Sequence, residues 1–513
     1  MVANSPHGVG RGAYGNTFAS AAVSAPLAPA LRRQIHRIDD TPKKRYREKG
    51  PPAQNLPAEL RQRYLDGFVK QAVGSLSKAA LSAIRENFRE RAGPVVLTLG
   101  TACSGSEFYL TALPWLAQEL ELVLGRSFRF KHLWSCEIVA EKQQWIFDNF
   151  RPPKIFADIT ALAGGTALDV LTGSWVTVDP VDVLIAGTSC KDASALNIHR
   201  TERRNSIDDR SHTTGSTFDG LARLVYRFGR RCSLVMLENV PDLAKVDKKT
   251  RRSNLDGVRD ELTASGFSFA CRTFSARDTG LPVARARLYM AGCRTSTPEQ
   301  IEERIESELD RILAAAKPRS LDSMLVPETE ATQMLYDWWP EAYGRPMQLS
   351  LWSSGARWEK KHGEVWSEEI PEHVADEVAS SVAANPWFAV LSPRQRDLLL
   401  IDLARARVLG RPLASVGLQM SLGWGGRRSE EQEVSVPTLV PKSLFWLVQR
   451  QRLLLGIEAV RLQGVDLCDL PALEPGKYTA SFLHDLAGNA FCVYQFASWF
   501  LACLTAAQFP SQA

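Results

Sequence analysis

The sequence lacks the cysteine patterns that mark disulfide-rich or zinc-binding proteins. Its 513 residues include nine cysteines, an odd number, and no two of them stand at C-x-x-C spacing. The eight histidines do not pair with them at zinc-finger spacing. We therefore expect no disulfide framework and no metal site, and free thiols fit a reducing compartment.

The sequence also has almost no excess of one charge. It holds 62 basic and 57 acidic residues, and a net charge of +5 does not by itself indicate a nucleic-acid partner. The whole excess lies in the first 60 residues. Residues 1–57 are rich in Gly, Pro, Ala and Ser, which predicts a disordered basic tail. Its run KKRYREK at 43–49 is either a solvated linker, a phosphate-contacting arm or a nuclear address, so we expect a nuclear protein if the source is eukaryotic and a cytoplasmic one otherwise.

No apolar run near the N-terminus resembles a signal peptide, and secretion is not expected. One C-terminal stretch, AFCVYQFASWFLACLTAA at 490–507, is nearly long enough to span a bilayer. It contains Gln495, Ser498 and Thr505 and has no charged membrane flank. We predict a buried helix there and no membrane partner.

What the sequence does contain is an alternation of strand-like and helix-like segments. A leading amphipathic segment at 58–92 comes first. The predicted strands that follow are 94–99, 130–136, 155–156, 181–185 and 234–237, and helices are predicted at 107–124 and 140–150. This order predicts an α/β fold with a Rossmann-like, doubly wound, mostly parallel sheet. Such sheets bind ligands beyond the carboxyl ends of their strands.

The ends of the first three strands carry groups that suit an adenosine cofactor. GTACSGSE at 100–107 is not G-x-G-x-x-G, but its small residues allow a ligand to approach the backbone at a helix start. Glu137 follows the second strand and suits ribose hydroxyls, and Asp158 follows the third and can accept from an adenine amino group. Either acid could instead cap a helix.

The ends of the later strands carry reactive groups. Cys190 follows the fourth strand, where a nucleophile belongs, although a lone cysteine is usually a small buried hydrophobe. Glu238 follows the fifth. Arg285 and Arg287 alternate in GLPVARARLYMAG, which predicts that they share one strand face; the alternative is a surface strand with solvated arginines.

Taken together, these segments resemble the DNA (cytosine-5) methyltransferases. The resemblance covers about 95–294 and 455–503. LTLGTACSGSEF, SCEIV and ADI resemble the cofactor motifs of that family, DVLIAGTSCKDAS its Pro-Cys-Gln loop, LVMLENVPDL its Glu-Asn-Val motif and GLPVARARLYMAG its arginine strand. GSTFDGLARLV, EAVRLQGVD and LAGNAFCVYQFASWF resemble its intervening helix and last two motifs.

The resemblance implies a reaction and a partner, double-stranded DNA. Cys190, as thiolate, would attack carbon 6 of a flipped cytosine, and carbon 5 would then take a methyl group from S-adenosylmethionine. Glu238 would contact ring nitrogen 3 and the exocyclic amine, Arg287 the ring carbonyl, and Arg285 would support the site. Loss of the carbon 5 proton would release Cys190.

The resemblance also implies the cofactor contacts and the domain division. The residues expected to bind S-adenosylmethionine are Thr101, Ala102, Cys103, Ser104, Gly105, Glu137, Ile138, Asp158, Ile159, Ser189, Thr217, Asn489 and Ala490. The catalytic domain would occupy 93–295 and be completed by 446–513. Residues 296–445 would form a helical insert and an irregular target-recognition region. The basic stretches 192–217 and 245–252 and the loop LGWGGRR at 422–428 are candidates for DNA contact.

Four positions depart from the family pattern, and two other interpretations stay open. Ser189 stands in place of the proline, Lys191 and Val283 in place of glutamines, and Cys103 in place of a glycine. An RNA cytosine-5 methyltransferase of the same fold is one alternative, although the Cys-Phe-Thr tripeptide of the transfer-RNA branch is absent. A catalytically inactive nucleic-acid-binding homologue is another. A generic adenosine-dependent oxidoreductase does not explain Cys190, Glu238 and the arginines together.

Overall fold

The computed structural model describes residues 58–89, 93–190, 192, 206–328, 363–366, 369–389, 391–410, 417–419, 436–441, 443–473 and 477–509. A 3₁₀ turn at Ala58–Arg61 leads into α1 (Leu65–Ser75) and α2 (Lys78–Phe88). The apolar residues that predicted an amphipathic helix are buried: Leu65, Phe68, Val69, Ala72, Val73 and Leu76.

Alternating strands and helices follow. In chain order they are β1 (Val95–Ala102), a 3₁₀ turn (Phe108–Ala112), α3 (Leu113–Leu124), β2 (Phe128–Cys136), α4 (Ala140–Phe150), β3 (Ile155–Phe156), α5 (Ile159–Leu162), β4 (Thr166–Asp169), β5 (Ser174–Thr177), β6 (Val183–Ala186), α6 (His212–Phe228), β7 (Leu234–Asn239), α7 (Asn254–Ala264), β8 (Ser268–Ser275), β9 (Val283–Ala284) and β10 (Ala286–Cys293).

Nine of these strands form the central sheet, in the order β5-β4-β3-β2-β1-β6-β7-β10-β8. Strands β3, β2, β1, β6 and β7 are parallel neighbours, and β10 lies antiparallel between β7 and β8. The side chains of β7 alternate between two cores, with Met236 on one face and Val235 and Leu237 on the other. The prediction of a doubly wound, mostly parallel sheet is confirmed.

Two strands extend further than their apolar runs predicted. Backbone pairing carries β1 to Ala102, which is opposite Cys136 on one side and Ala186 on the other. Pairing with β10 carries β7 through Glu238, which lies opposite Tyr289. The predicted ends of these strands, at 99 and 237, are therefore two or three residues too early. Backbone pairing with neighbouring strands keeps polar residues such as Thr101 and Glu238 within the strands.

The region after the sheet contains α8 (Ile301–Ala315), α9 (Leu321–Met324), α10 (Glu372–Val382), α11 (Pro386–Ala389), α12 (Pro393–Val408), β11 (Gly417–Gln419), β12 (Val436–Pro437), β13 (Phe445–Leu447) and β14 (Arg452–Leu453). The prediction of irregular structure is wrong for α10 and α12, whose buried faces pack together through Val374, Val378 and Ile401. Strands β11, β13 and β14 form a small sheet, and β12 pairs with β9.

The last described elements are α13 (Gly456–Arg461), α14 (Ala480–Asn489) and α15 (Val493–Leu504). Among the described residues, one stretch, 480–504, has the length and apolar character to cross a membrane, and 94% of its most apolar window is buried. The predicted buried helix is confirmed. Two of its buried polar groups have partners: Gln495 Nε2 donates to the Phe274 carbonyl at 2.8 Å and the Ser498 hydroxyl to the Tyr494 carbonyl at 2.8 Å.

Candidate active site

The predicted nucleophile lies just beyond β6. The Gly187 N–H donates to the Ala102 carbonyl at 3.0 Å, so the chain still follows β1 as it leaves the sheet. A Cβ at Gly187 would stand 2.7 Å from the Phe491 ring, which explains why a glycine occupies this close approach. Cys190 then follows in a loop, half-buried and with a free thiol.

Glu238 and Arg287 form an ion pair beside this loop. Arg287 Nε lies 3.0 Å from Glu238 Oε1, and both side chains are nearly buried. Burial raises the pKa of Glu238, while the positive charges of Arg287 and Arg285 oppose that rise. A buried glutamate with a raised pKa retains its proton more readily, so it can act as a hydrogen-bond donor.

The Cys190 thiol lies within the electrostatic reach of these groups. Burial, followed by the negative charge of Glu238, raises the pKa of Cys190, and Arg287 and Arg285 lower it. The thiol, the acid and the two arginines therefore belong to one cluster at the carboxyl end of β6 and β7. We call the part of the sheet edge formed by Cys190, Glu238 and Arg287 the base half, after the nucleobase that the sequence predicts there, and Arg285 lies behind it.

Arg285 has a different environment from Arg287. Its guanidinium donates to the carbonyls of Leu439 at 2.8 Å and of Gly488 at 3.2 Å, and also to that of Ala490. The two arginines do not share one regular strand, because the chain breaks pairing between β9 and β10 at Arg285. Both are buried, so the alternative of solvated surface arginines is wrong. These contacts suit the predicted supporting role of Arg285.

The loop after β1 turns through left-handed residues that include Cys103 and Gly105. Cys103 has φ 54° and Gly105 has φ +68°, and a Cβ at Gly105 would stand 3.3 Å from Asn489 Cβ. The Cys103 N–H donates to the Cys136 carbonyl at 2.8 Å, and burial raises the pKa of its thiol to about 12. Ser104 is buried and accepts from the Tyr109 hydroxyl at 3.0 Å. The loop is thus fixed by protein contacts.

Glu107 is a buried acid at the end of this loop and is not among the residues predicted from the sequence to form the site. Its Oε2 accepts from the Ser135 hydroxyl at 3.0 Å, and its Oε1 accepts from the Thr101 hydroxyl. Burial raises the pKa of Glu107 to about 7. The hydroxyl of Thr101, a predicted cofactor residue, therefore donates its hydrogen bond to Glu107.

Glu137 lies at the end of β2, as predicted. It is buried, and its Oε1 accepts from the Val139 N–H at 2.9 Å. Burial raises the pKa of Glu137. The next residue, Ile138, is 59% exposed although it is a large apolar residue at the sheet edge. An exposed apolar side chain beside a buried acid provides a surface on which an adenine ring could pack.

Asp158 caps a helix, which is the alternative that the sequence left open for it. Its Oδ1 accepts from the Thr160 N–H at 2.9 Å and from the Thr160 hydroxyl at 2.8 Å. Ile159 is buried in the core. Both hydrogen bonds use Oδ1, so capping and a contact to a ligand through Oδ2 are compatible. Glu107, Glu137 and Asp158 lie at or next to the part of the sheet edge where the sequence predicts cofactor binding, and we call this part the cofactor half of the sheet edge.

The remaining predicted cofactor residues come from three elements. The Ser189 N–H donates to Thr217 Oγ1 at 3.3 Å, which ties the Cys190 loop to α6. Asn489 is exposed at the end of α14, and Ala490 is buried with its carbonyl held by Arg285. The structure thus brings 189, 217 and 489–490 to the same edge as 101–105.

Asn239, part of the Glu-Asn-Val motif, holds the Cys190 loop and was not among the predicted site residues. Its Nδ2 donates to the Thr188 carbonyl at 3.1 Å and lies 3.2 Å from Thr188 Oγ1. Its Oδ1 accepts from the Val240 N–H at 2.8 Å. Asn239 therefore fastens the Cys190 loop to the end of β7, and its place next to Glu238 was the available signal.

Several predicted DNA-contacting segments lie outside the described residues: 43–49, 193–205 and 422–428. Among the described basic residues, Arg210 pairs with Asp219 at 2.7 Å and with Glu261 at 3.1 Å. Arg252 pairs with Asp260 at 2.6 Å and with Asp208 at 3.0 Å. Part of the positive charge in the predicted basic stretches is thus paired with acidic side chains of the protein itself. The described residues contain no cluster of metal-ligating side chains.

The family model for C-5 cytosine-specific DNA methylases matches residues 120–468, and the chain belongs to this family. The resemblance inferred from the motifs is thereby confirmed. The match includes Cys190, Glu238, Arg285 and Arg287. The loop at 100–107 and the helices α14 and α15 lie outside it, and the fold brings this loop and the end of α14 together at one edge.

Two fungal relatives are named DNA (cytosine-5-)-methyltransferase DMT5. The protein from Cryptococcus neoformans is 26% identical over 433 residues, which cover 80% of this chain and 17% of the relative. The protein from Verticillium dahliae is 25% identical over 469 residues, which cover 78% of this chain and 19% of the relative. The chain thus spans less than a fifth of the length of either relative.

Among solved structures, S. pombe Dnmt2 methyltransferase superposes with a TM-score of 0.42 at 12% identity, covering 80% of this chain and 98% of that one. At this TM-score the likeness adds nothing to the fold assignment, which rests on the strand order of the sheet itself.

Proposed function

We propose that this protein transfers a methyl group from S-adenosylmethionine to carbon 5 of cytosine in DNA, through a covalent adduct with Cys190. The observation that carries the proposal is the cluster of Cys190 with the Glu238–Arg287 ion pair at the carboxyl end of β6 and β7. Membership of the C-5 cytosine-specific DNA methylase family supports it.

The base half supplies the groups that this reaction needs. Carbon 5 of cytosine is a weak nucleophile, and addition of the Cys190 thiolate at carbon 6 would make it an enamine carbon that can accept a methyl group. Glu238 pairs with Arg287 as a carboxylate in the free protein, and its raised pKa would let it take up a proton against ring nitrogen 3 and so offset the negative charge that develops in the ring. Arg287 orients Glu238 and would bind the ring carbonyl oxygen.

The cofactor half fits S-adenosylmethionine. Glu137 would bind the ribose hydroxyls, the exposed Ile138 would pack against adenine, and the loop at Cys103–Gly105 would border the methionine part. When bound, this cofactor supplies an electrophilic methyl group. The protein's own task at this half is to hold the loop and the acid in place.

DNA is the substrate favoured over RNA, because both fungal relatives are named DNA methyltransferases and the Cys-Phe-Thr tripeptide is absent. An inactive homologue is disfavoured because the thiol, the acid and both arginines are retained and grouped. The departure at Ser189 changes the backbone before the nucleophile and leaves these reacting groups in place.

Covalent trapping tests the proposal. The protein is incubated with S-adenosylmethionine and duplex DNA that carries 5-fluorocytosine, in which fluorine replaces the proton that must leave carbon 5. We expect a stable protein–DNA adduct that peptide mass spectrometry maps to Cys190. An adduct with the matching RNA and none with DNA would change the substrate to RNA, and no adduct with either would favour an inactive homologue.

The Cys190→Ala variant separates chemistry from binding. We expect it to form no adduct and transfer no methyl group, while its affinity for S-adenosylhomocysteine, measured by calorimetry, stays within about twofold of wild type because the thiol lies in the base half. The matched control is Cys271→Ala, a half-buried cysteine on β8 away from the site. Transfer by Cys190→Ala at the wild-type rate would contradict the covalent mechanism.

A further inference from the structure

The Cys190 loop is fastened to one helix on both sides of the nucleophile. Residues 189 and 192 each contact the first turns of α6, through Thr217 and Thr214. We call these three hydrogen bonds the α6 brace. Because the brace begins one residue before Cys190 and ends two residues after it, the position of the thiol depends on these contacts.

The first contact is made by a backbone N–H. The Ser189 N–H donates to Thr217 Oγ1 at 3.3 Å. The Thr217 hydroxyl donates its own proton within α6, to the Thr213 carbonyl at 2.8 Å. Its lone pair is therefore directed away from the helix and is available for the loop.

The second contact is reciprocal. Asp192 Oδ2 accepts from the Thr214 N–H at 2.7 Å, and the Asp192 N–H donates to Thr214 Oγ1 at 3.2 Å. Thr214 is the third residue of α6, so Asp192 caps the helix from the loop. The helix's own N-cap residue, Ser211, makes no capping hydrogen bond within the described residues. Helix capping, which the N-cap residue usually provides, is here provided by Asp192, two residues after the nucleophile.

The first contact is possible because residue 189 is a serine and not a proline. The loop resembles one in which proline stands before the nucleophile, and proline limits the backbone by its fixed φ and has no N–H to donate. Ser189 removes the ring constraint and adds an N–H, and that N–H is bound by Thr217. In this loop a hydrogen bond restrains the backbone at the position where the proline ring restrains it in the related loop.

We propose that Thr217, Thr214 and Asp192 are positioning residues that hold Cys190 for attack, and that the Ser189–Thr217 hydrogen bond replaces the restraint of the missing proline. The inference rests on the proposed function for its effect on rate. It assigns Thr217 a structural partner, Ser189, in place of a direct contact with the cofactor.

The test is a double-mutant cycle between Thr217→Val and Ser189→Pro, with adduct formation on 5-fluorocytosine DNA measured in a single turnover. Valine keeps the shape of threonine and removes the acceptor, so we expect a rate about tenfold lower than wild type. Thr217→Ser should recover most of that loss. In the Ser189→Pro background there is no N–H to bind, so Thr217→Val should change the rate less than about twofold. Thr213→Val, on the exposed side of the same turn, is the matched control.

Two results would overturn the proposal. One is an equal loss from Thr217→Val in both backgrounds. The other is a tenfold loss of S-adenosylhomocysteine affinity in calorimetry, which would assign Thr217 to the cofactor. A merely structural loss of stability would lower the rate of Thr217→Ser as well.

A second readout does not need activity. Alkylation of Cys190 by iodoacetamide, followed by peptide mass spectrometry, should be several-fold faster in Thr217→Val, because a loosened loop exposes the half-buried thiol. If the wild-type protein trapped neither DNA nor RNA, the proposed function would fail and this measurement alone would decide on the brace. If Ser189→Pro did not fold, the cycle between Asp192→Ala and Thr214→Val would replace it. Alkylation rates of that pair should be non-additive, and additive rates would overturn the brace.

Discussion

The two halves of the sheet edge hold their functional groups in different ways. In the cofactor half, acids are satisfied by neighbouring protein atoms: Glu107 by hydroxyl groups, Glu137 and Asp158 by backbone N–H groups. In the base half, Cys190, Glu238 and Arg287 act on one another through charge. The hydrogen bonds in the cofactor half hold the acids in position. The charges in the base half shift the pKa values of Cys190 and Glu238. Substitutions in the two halves should therefore change different measurements.

The largest effect is expected in the base half, from Glu238→Gln. Methyl transfer should fall at least about a hundredfold, because the amide cannot exchange a proton with ring nitrogen 3. The same change removes a negative charge that raises the pKa of Cys190. A lower thiol pKa gives more thiolate at pH 8, so alkylation of Cys190 should be faster than in wild type even though catalysis is slower.

This opposite movement of two rates is the diagnostic feature of the base half. Glu302→Gln, an exposed glutamate on α8, is the control and should move neither rate. Slower alkylation in Glu238→Gln would show that Glu238 does not act on the thiol through its charge.

The next effect is expected in the cofactor half, from Glu107→Gln, and it concerns stability. The pKa of Glu107 is about 7 in the folded protein against an ordinary value of 4.5. Between these values the folded protein keeps a proton that the unfolded chain has lost, so the free energy of unfolding falls as pH rises through this window. The loss is on the order of 3 kcal/mol by pH 8.

Glutamine has no proton to lose, so this contribution should vanish in Glu107→Gln. Urea unfolding should give similar free energies for the variant and wild type at pH 4.5, and a more stable variant at pH 8. Equal pH dependence of the two proteins would show that Glu107 is ionised without cost.

A smaller effect is expected from Glu137→Gln. Loss of a charge-assisted hydrogen bond to the ribose should weaken S-adenosylhomocysteine binding about tenfold. At saturating cofactor the rate of adduct formation should stay within about twofold of wild type, because the base half is untouched. A large loss of rate at saturation, with unchanged affinity, would reverse the assignment of the two halves.

The features that the sequence could predict are those fixed by strand order. Parallel strands place their carboxyl ends on one edge, so the order of the strands in the sequence is enough to group Glu137, Asp158 and Cys190. Their residue types then indicated the chemistry. The family match and the strand order confirm the family and the fold, while the individual roles of these residues remain predictions.

The features that the sequence could not predict are contacts between distant segments. Arg285 and Arg287 are the same residue type in a period-two pattern, yet one binds the backbone at Leu439 and Gly488 and the other pairs with Glu238. The two residues before Arg285 pair with β12, which comes from far along the chain, and not with the central sheet. Likewise, nothing local to Asp192 indicates that it caps α6.

The Arg285 contacts have a consequence for the order in which the protein is made. The last strand of the central sheet ends at Cys293, whereas the carbonyls that Arg285 binds at Gly488 and Ala490 belong to the last described helices and their connection. A ribosome therefore releases the whole sheet before it produces the segment that covers the buried guanidinium. During synthesis the nascent chain must keep the charge of Arg285 solvated. The contacts that bury this charge form only when α14 and the residues after it have emerged.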